Sequence, residues 1–434
     1  KRLLLFCFVL FTGAVLNLEY FYFDAAISQA IMLVEPLLLF VAIVNLPFTE
    51  EHIVSYSRLL RKLIFLEIAI GLLQLPGRIA SGDSEAVHGT FPGNAEQYAA
   101  FLMIAVFYLI GRAVVCPEKK RLYVAAVILI LVLDVSIDNK ASWLGTTVAL
   151  AAVLWQLDIL KVRRIGIVGL LALMGSTAVL IGYIASGTST TISKYEKLWE
   201  IIKSGNISHL GKVKSYIDIA RSHFTNPHML LVGAGPSNMY SRACRQFYLR
   251  VGELQKMYVN PDILTPEPDS GSEVHARLSD SMAGVIKRTL AKPYYMNYYG
   301  DRERIYAVGS GQVDGTFSPY AGLLGETGLL GTWLYLSVYL VAFRWLWHRV
   351  ASWHAKPEVL PLLTSSCGMM IYVVVNSVYG QFLETTRYTT LLWSMIGLVY
   401  VCAQREKSLE PVGIEHAPVG LTASGRPVTG AQTL

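Results

Sequence analysis

The sequence predicts an all-α integral membrane protein with about ten transmembrane helices and one large, mostly helical extracytoplasmic loop. Three observations carry that expectation. The first is composition: a mean hydropathy of +0.44, with 53% hydrophobic and only 16% charged residues, where soluble domains hold about 25% charged. The second is the recurrence of apolar runs, since crossing a hydrocarbon core takes about 20 residues of helix. The third is an alternation of basic connections that gives each run a direction.

Ten runs are legible, at 3–17, 27–45, 57–76, 97–115, 121–136, 141–158, 165–186, 317–343, 359–378 and 387–403. The first and fifth are short and draw on flanking polar residues or on tilt to complete a crossing. Residues 1–17 lack a convincing small-residue cleavage site, which argues against a signal peptide. The chain opens at Lys1 rather than at a methionine, leaving room for residues or whole helices upstream.

Threading these runs brings the basic groups around Lys1, Arg61, Lys120, Arg163, Arg349 and Arg405 to one side. That side is the cytoplasm by the positive-inside rule, and both termini fall on it. The net charge of +6 is thereby a property of a membrane protein, and no nucleic-acid partner is expected. The organisation is 1–186 for helices one to seven, 187–316 for the extracytoplasmic loop domain, 317–404 for helices eight to ten, and 405–434 for a cytoplasmic tail. The tail is rich in Gly, Pro, Thr and Ala and reads as disordered.

The loop domain carries 16 Lys+Arg against 12 Asp+Glu. Long loops cross a membrane regardless of charge, so this excess has another origin: an ordinary solvated surface or an anionic ligand. Helical stretches are expected at 194–204, 211–225, 237–258 and 273–291. In the second, Val213, Tyr216, Ile217, Ala220 and Phe224 recur at helical spacing, with Lys212, Lys214 and Arg221 at the edges of the stripe. Asn226-Pro227 stops that helix. Residues 261–275 are Pro-rich and acidic, the composition of a surface loop or lid. The run Tyr294-Tyr295-Met296-Asn297-Tyr298-Tyr299 suits either sugar stacking or interfacial anchoring. Five scattered cysteines offer neither a disulfide framework nor a CxxC metal site.

Four local patterns follow one another. His88-Gly89-Thr90-Phe91-Pro92-Gly93-Asn94 precedes the fourth run, and Asp138-Asn139-Lys140-Ala141-Ser142-Trp143-Leu144-Gly145 opens the sixth. Leu231-Val232-Gly233-Ala234-Gly235-Pro236-Ser237-Asn238 lies in the loop domain. Ser318-Pro319-Tyr320 then leads into Leu323-Leu324-Gly325-Glu326-Thr327-Gly328-Leu329-Leu330-Gly331. In this order, over roughly residues 85–335, the chain resembles the O-antigen ligase and O-antigen (exopolysaccharide) polymerase superfamily of membrane glycosyltransferases.

The resemblance implies a GT-C type helical fold in the bacterial inner membrane, a periplasmic site, and no metal or cofactor. The donor it implies is an undecaprenyl diphosphate-linked glycan, and the acceptor a glycan hydroxyl. Partners are the lipid bilayer and a chain-length regulator or flippase. A polymerase that builds O-antigen, capsule or exopolysaccharide from repeat units is the first reading. A ligase moving finished glycan onto a lipid or protein shares fold and donor. A polysaccharide transporter or flippase is the rival, with Glu35 and Glu67 inside spans as its proton path, although the sequence lacks the repeated halves such proteins show. Family members commonly have twelve spans, so two upstream spans are expected, or a member that dispenses with them.

The family uses two basic positions, usually arginines, against the departing diphosphate. Here they fall on Lys140 and on Lys212 or Lys214, with Arg221 assisting. Lysine keeps the charge but lacks the bidentate fork of arginine. Snorkelling accounts equally for Lys140, and a solvated helix face for Lys212 and Lys214. Tyr320 matches the motif tyrosine, and Glu326 matches an acidic position suited to helix packing around Gly328 and Gly331. The family histidine three residues before that tyrosine is replaced by Phe317. The base is then expected to be Asp314, ahead of His88 and His275, unless diphosphate departure needs none; Asp314 reads otherwise as a cap on the following helix.

Overall fold

The computed structural model describes residues 1–16, 23–81, 86–91, 95–137, 140–157, 203, 216–217, 219–220, 223–224, 227–236, 318–352, 357–378, 380 and 382–409. Every regular element among them is helical: α1 (Arg2–Leu16), α2 (Phe23–Asn45), α3 (Glu50–Ser81), α4 (Ala95–Val115), α5 (Lys120–Ser136), α6 (Lys140–Gln156), the short α7 (Pro227–Val232), α8 (Pro319–Ser352), α9 (Val359–Asn376) and α10 (Thr386–Leu409). A single 3₁₀ turn, Pro117–Lys119, joins α4 to α5.

Five helices are long and apolar enough to cross a membrane: Ala26–Asn45, Glu50–Ser81, Ala95–Val115, Pro319–Val350 and Val359–Asn376. The described residues are therefore all-helical, with several helices long and apolar enough to cross a membrane and fewer of them than the ten expected. Among the remaining runs, α1 has 15 residues and α5 and α6 have 17 each. α10 has 24, but it opens on the polar turn Thr386-Arg387-Tyr388-Thr389. Run 165–186 lies outside the described residues, as do the tail from 410 and most of the loop domain.

α4 and α9 form the centre, buried along nearly their whole lengths. Lipid is as apolar as leucine, so helices in a bilayer hold together by close packing and interhelical hydrogen bonds. Both occur here. A Cβ at Gly111 would stand 2.7 Å from the Pro361 backbone, and Ser365 Oγ donates to the Ile104 carbonyl at 2.9 Å. α1 lies against α8, with Phe6 on Tyr335, and α2 against α10, with Phe40 on Trp393.

The helices run alternately up and down, which gives the bundle two ends. One gathers the basic residues at the start of α1 and α5 and the end of α10, and is called the basic end. The other gathers the glycine-rich patterns at the end of α1, the start of α4, α6, α8 and α10, and the end of α9, and is called the motif end.

Candidate functional site

The motif end departs from regular helix at one place above all. α8 breaks at Gly328, whose φ of 62° and ψ of −170° lie outside the helical region. The break admits the strand-like turn that follows α7. Ala234 N–H donates to the Gly325 carbonyl at 2.8 Å and Gly235 N–H to the Glu326 carbonyl at 3.0 Å. Both chains need glycine here: a Cβ at Gly233 would sit 2.2 Å from the Glu326 carbonyl carbon, and one at Gly328 would sit 2.5 Å from that of Leu231. With φ of 76° and 62°, neither position suits an L side chain. Two patterns nearly ninety residues apart in sequence thus form one interlocked unit, and Glu326 serves it through its backbone. The end of α1 closes over it, with Gly13 against Gly235.

A second irregular stretch, residues 86–91, is bracketed by α3. Gln74 Oε1 accepts the N–H groups of His88 and Gly89 at 2.9 and 2.8 Å, while Gln74 Nε2 donates to the Gly89 carbonyl at 2.9 Å. Glu67 accepts the Thr90 N–H at 3.0 Å and, in a shorter contact, the Thr90 hydroxyl. Both carboxylate oxygens are thus committed to holding the loop. The His88 ring sits with Nδ1 3.1 Å from the Gly89 carbonyl. A carbonyl only accepts, so Nδ1 is the donor in this contact, and the tautomer that matches it has its lone pair on Nε2.

α9 ends in a polar cluster to which three other elements connect. Asn376 Oδ1 accepts the Gly145 N–H at 3.1 Å, five residues into α6 from Lys140. Ser318 Oγ donates to the Ser377 carbonyl at 3.3 Å and meets the Tyr216 hydroxyl at 3.2 Å. Tyr320 Oη donates to the Val374 carbonyl at 2.6 Å. Tyr320 therefore joins α8 to α9, and its hydroxyl proton is already engaged.

The segment carrying Tyr216 descends alongside α8. Tyr216 meets Ser318, and His223, seven residues on, hydrogen-bonds the backbone of Gly325, seven residues after Ser318. Seven residues are about two helical turns, or 10 Å. Ile219 and His223 are buried, whereas Phe224 is 83% exposed. Of the expected stripe, Tyr216 docks through its hydroxyl while Ala220 and Phe224 are exposed, and the buried side chains are Ile219 and His223, the latter against Gly325 of α8. Burial draws the His223 imidazole below its usual value, opposed by its bond to Gly325. Its Nε2 has no hydrogen-bond partner among the described residues.

Of the residues expected at the site, His88, Tyr320 and the backbone of Lys140 are described, and all three lie at the motif end. Lys212, Lys214, Arg221 and Asp314 lie outside the described residues, as do His275 and Phe317. Sequence reading passed over Asn376, His223 and Arg387. Arg387 opens α10 and reaches Gln97 at the start of α4, with Nη1 2.8 Å from Oε1; an arginine at a span end away from the basic end was the available signal. Among the described residues, no three His, Cys, Asp or Glu side chains gather as a metal would need.

An apolar cleft of about 880 Å³ runs between α1 and α2, lined by Cys7, Ala14, Ala30, Leu38 and Pro236, with Glu35 midway. It follows α2 from Ala26 to Ala42, about 24 Å along the helix axis. Pro236, from the interlocked turn, lies at its motif end.

No protein-family model matches the chain, and no characterised protein sequence matches it either.

Proposed function

We propose that this protein is a ten-span GT-C type glycosyltransferase that polymerises undecaprenyl diphosphate-linked oligosaccharide repeat units at the extracytoplasmic face of a bacterial inner membrane. One observation supports this best: patterns scattered over more than two hundred residues meet at a single end of the bundle, where the backbone is irregular and held by dedicated side chains. Irregular backbone at membrane depth is tolerated only where it is buried in protein or lines a cavity.

In the proposed reaction an acceptor hydroxyl attacks the anomeric carbon of the donor glycan. The carbon–oxygen bond to the diphosphate breaks, the diphosphate leaves with the electron pair, and the hydroxyl proton passes to a base. Lys140 and one of Lys212 or Lys214, with Arg221, face the negative charge that develops on the leaving group. The hydrocarbon tail of the donor occupies the α1–α2 cleft, whose lining is almost wholly apolar. His88 and Asp314 are the two candidates for the base, and the tautomer that matches the Gly89 contact gives His88 a lone pair where a base requires one.

The transporter reading loses support at Glu67, whose carboxylate is occupied by Thr90. The test is reconstitution: purified protein in proteoliposomes with lipid-linked repeat units should yield a ladder of longer glycans. Extension only onto a lipid or protein acceptor would make it a ligase. Movement of the donor across the bilayer without glycan transfer would make it a flippase. His88→Gln or Asp314→Asn, whichever removes the base, should slow turnover by about 100-fold. Normal turnover in both would leave a base-free step.

A further inference from the structure

We propose that Asn376 binds the donor, its side-chain amide donating a hydrogen bond to a phosphate oxygen of the lipid diphosphate. This rests on the glycosyltransferase reading. Asn376 is the last residue of α9 and is fully buried. Its Oδ1 accepts the Gly145 N–H, which orients the amide. Nδ2, the donating half, is buried and has no hydrogen-bond partner among the described residues. A buried donor without an acceptor is costly in the free protein, and it calls for something that completes it.

The surroundings are built for that amide. A Cβ at Gly145 would fall 2.3 to 2.5 Å from the Asn376 amide atoms, so glycine is what lets the amide reach the α6 backbone. Lys140 starts α6 five residues earlier, about 7.5 Å along the axis, and the first turn of any helix presents N–H groups without helical partners. On the other flank Ser377, the next residue, accepts from Ser318, which in turn meets Tyr216. An idle amide donor one turn and a half from a helix N-terminus that opens on a lysine in the sequence fits an oxygen-rich anion. A neutral sugar hydroxyl would use the amide and leave the positive end of the helix unanswered.

The informative variant is Asn376→Asp. It preserves shape and the acceptor for Gly145, while putting a carboxylate oxygen where the donor was. Initial rates in proteoliposomes, measured against concentration of lipid-linked repeat unit, should show KM for the donor raised about 10- to 100-fold at neutral pH, the value of one hydrogen bond to a charged group. kcat should change less. At about pH 5 a carboxyl close to phosphate is protonated and again donates, so the KM ratio to wild type should shrink. Binding of undecaprenyl diphosphate alone to protein in nanodiscs should follow the same pattern. Asn376→Ser, which offers a shorter donor, should show a smaller KM rise without pH rescue, and it carries the test if the aspartate variant does not fold. Gly145→Ala, by contrast, should lower the yield of folded protein without a pH-dependent KM. If wild type neither makes polymer nor binds the diphosphate lipid, the glycosyltransferase reading falls and takes this one with it. If wild type does both, and the Asn376 variants match its KM at both pH values or lose only kcat, Asn376 is a packing residue and the broader reading stands.

Discussion

The two ends of the bundle solve the same problem in opposite ways. At the basic end, polar side chains are joined to one another. Arg112 pairs with Glu358 at 3.0 Å and donates to the Pro357 carbonyl at 2.9 Å, Ser57 Oγ donates to Glu358 Oε2 at 3.0 Å, and the Tyr123 ring stands 6.0 Å from the guanidinium. Among the described atoms there, only Arg112 Nε is left over. At the motif end, beside the satisfied Gln74 and Glu67, two groups are half used among the described residues: Asn376 spends its acceptor and keeps its donor, and His223 keeps a bare ring nitrogen. A network that closes on itself fastens helices, whereas one left open has capacity for a ligand.

The contrast is open to test by cutting the closed network. Arg112→Ala leaves Glu358 without its cation in a mostly buried site, and breaking such pairs costs about 3–5 kcal/mol. Thermal unfolding in detergent should show that loss, with KM for donor unchanged in protein that remains folded. A variant as stable as wild type would mean that the basic end is not held by this pair.

The interlock at the motif end should come next in size. Gly328→Ala places a side chain at φ 62° and ψ −170°, a region held almost only by glycine, where strain costs about 1–3 kcal/mol, and drives its Cβ into Leu231 and Gly233, where overpacking adds about 1–3 kcal/mol. Gly77→Ala is the control, since its Cβ would meet nothing within 4 Å and alanine favours helix. Folded yield and melting temperature should fall for the first and hold or rise for the second. Equal behaviour of the two would dissolve the interlock.

Lys140→Ala sharpens the comparison from the other side. It should cost about 2–4 kcal/mol of transition-state stabilisation, the value of one preorganised donor, while melting temperature holds. Lys140→Arg should retain much of the activity. Wild-type turnover in the alanine variant would take Lys140 out of the site, and a parallel loss of stability would assign it to the framework.

Much of this architecture was legible in the sequence because it follows from composition and periodicity. The helical class and the positions of α2, α3, α4, α8 and α9 come directly from apolar runs, which record where backbone must be satisfied internally in lipid. Crossing count was less legible: α1, α5 and α6 are apolar but short, and length alone does not tell a tilted crossing from a partial one. The four glycine patterns lie at one end of the molecule. Their pairing could not be read, because it depends on an α8 break that brings Gly233 to Glu326 across more than ninety intervening residues. Asn376 and His223 escaped for a related reason. An asparagine at the end of an apolar run looks like a stop signal, and a histidine beside Asn226-Pro227 looks like a helix end; only the neighbours supplied by α6 and α8 show which of their atoms are left unused.

The smallest expected effect concerns His223. The ring is buried, its Nε2 is unpartnered among the described residues, and burial holds its pKa below the ordinary value, which is about 6.5 in an unfolded chain. Between the two values the unfolded chain binds more protons than the native one, so stability rises with pH over that interval. The contribution of His223 is therefore complete above about pH 6.5 and is lost as pH falls through the lower, folded value. His223→Gln keeps a group able to bond the Gly325 backbone but cannot titrate. Unfolding midpoints in detergent, taken at about pH 7.5 and about pH 5.5, should therefore fall further in wild type than in His223→Gln. Equal slopes would mean that the imidazole already finds a partner in the native protein, and the motif end would then hold one open group fewer than the comparison with the basic end requires.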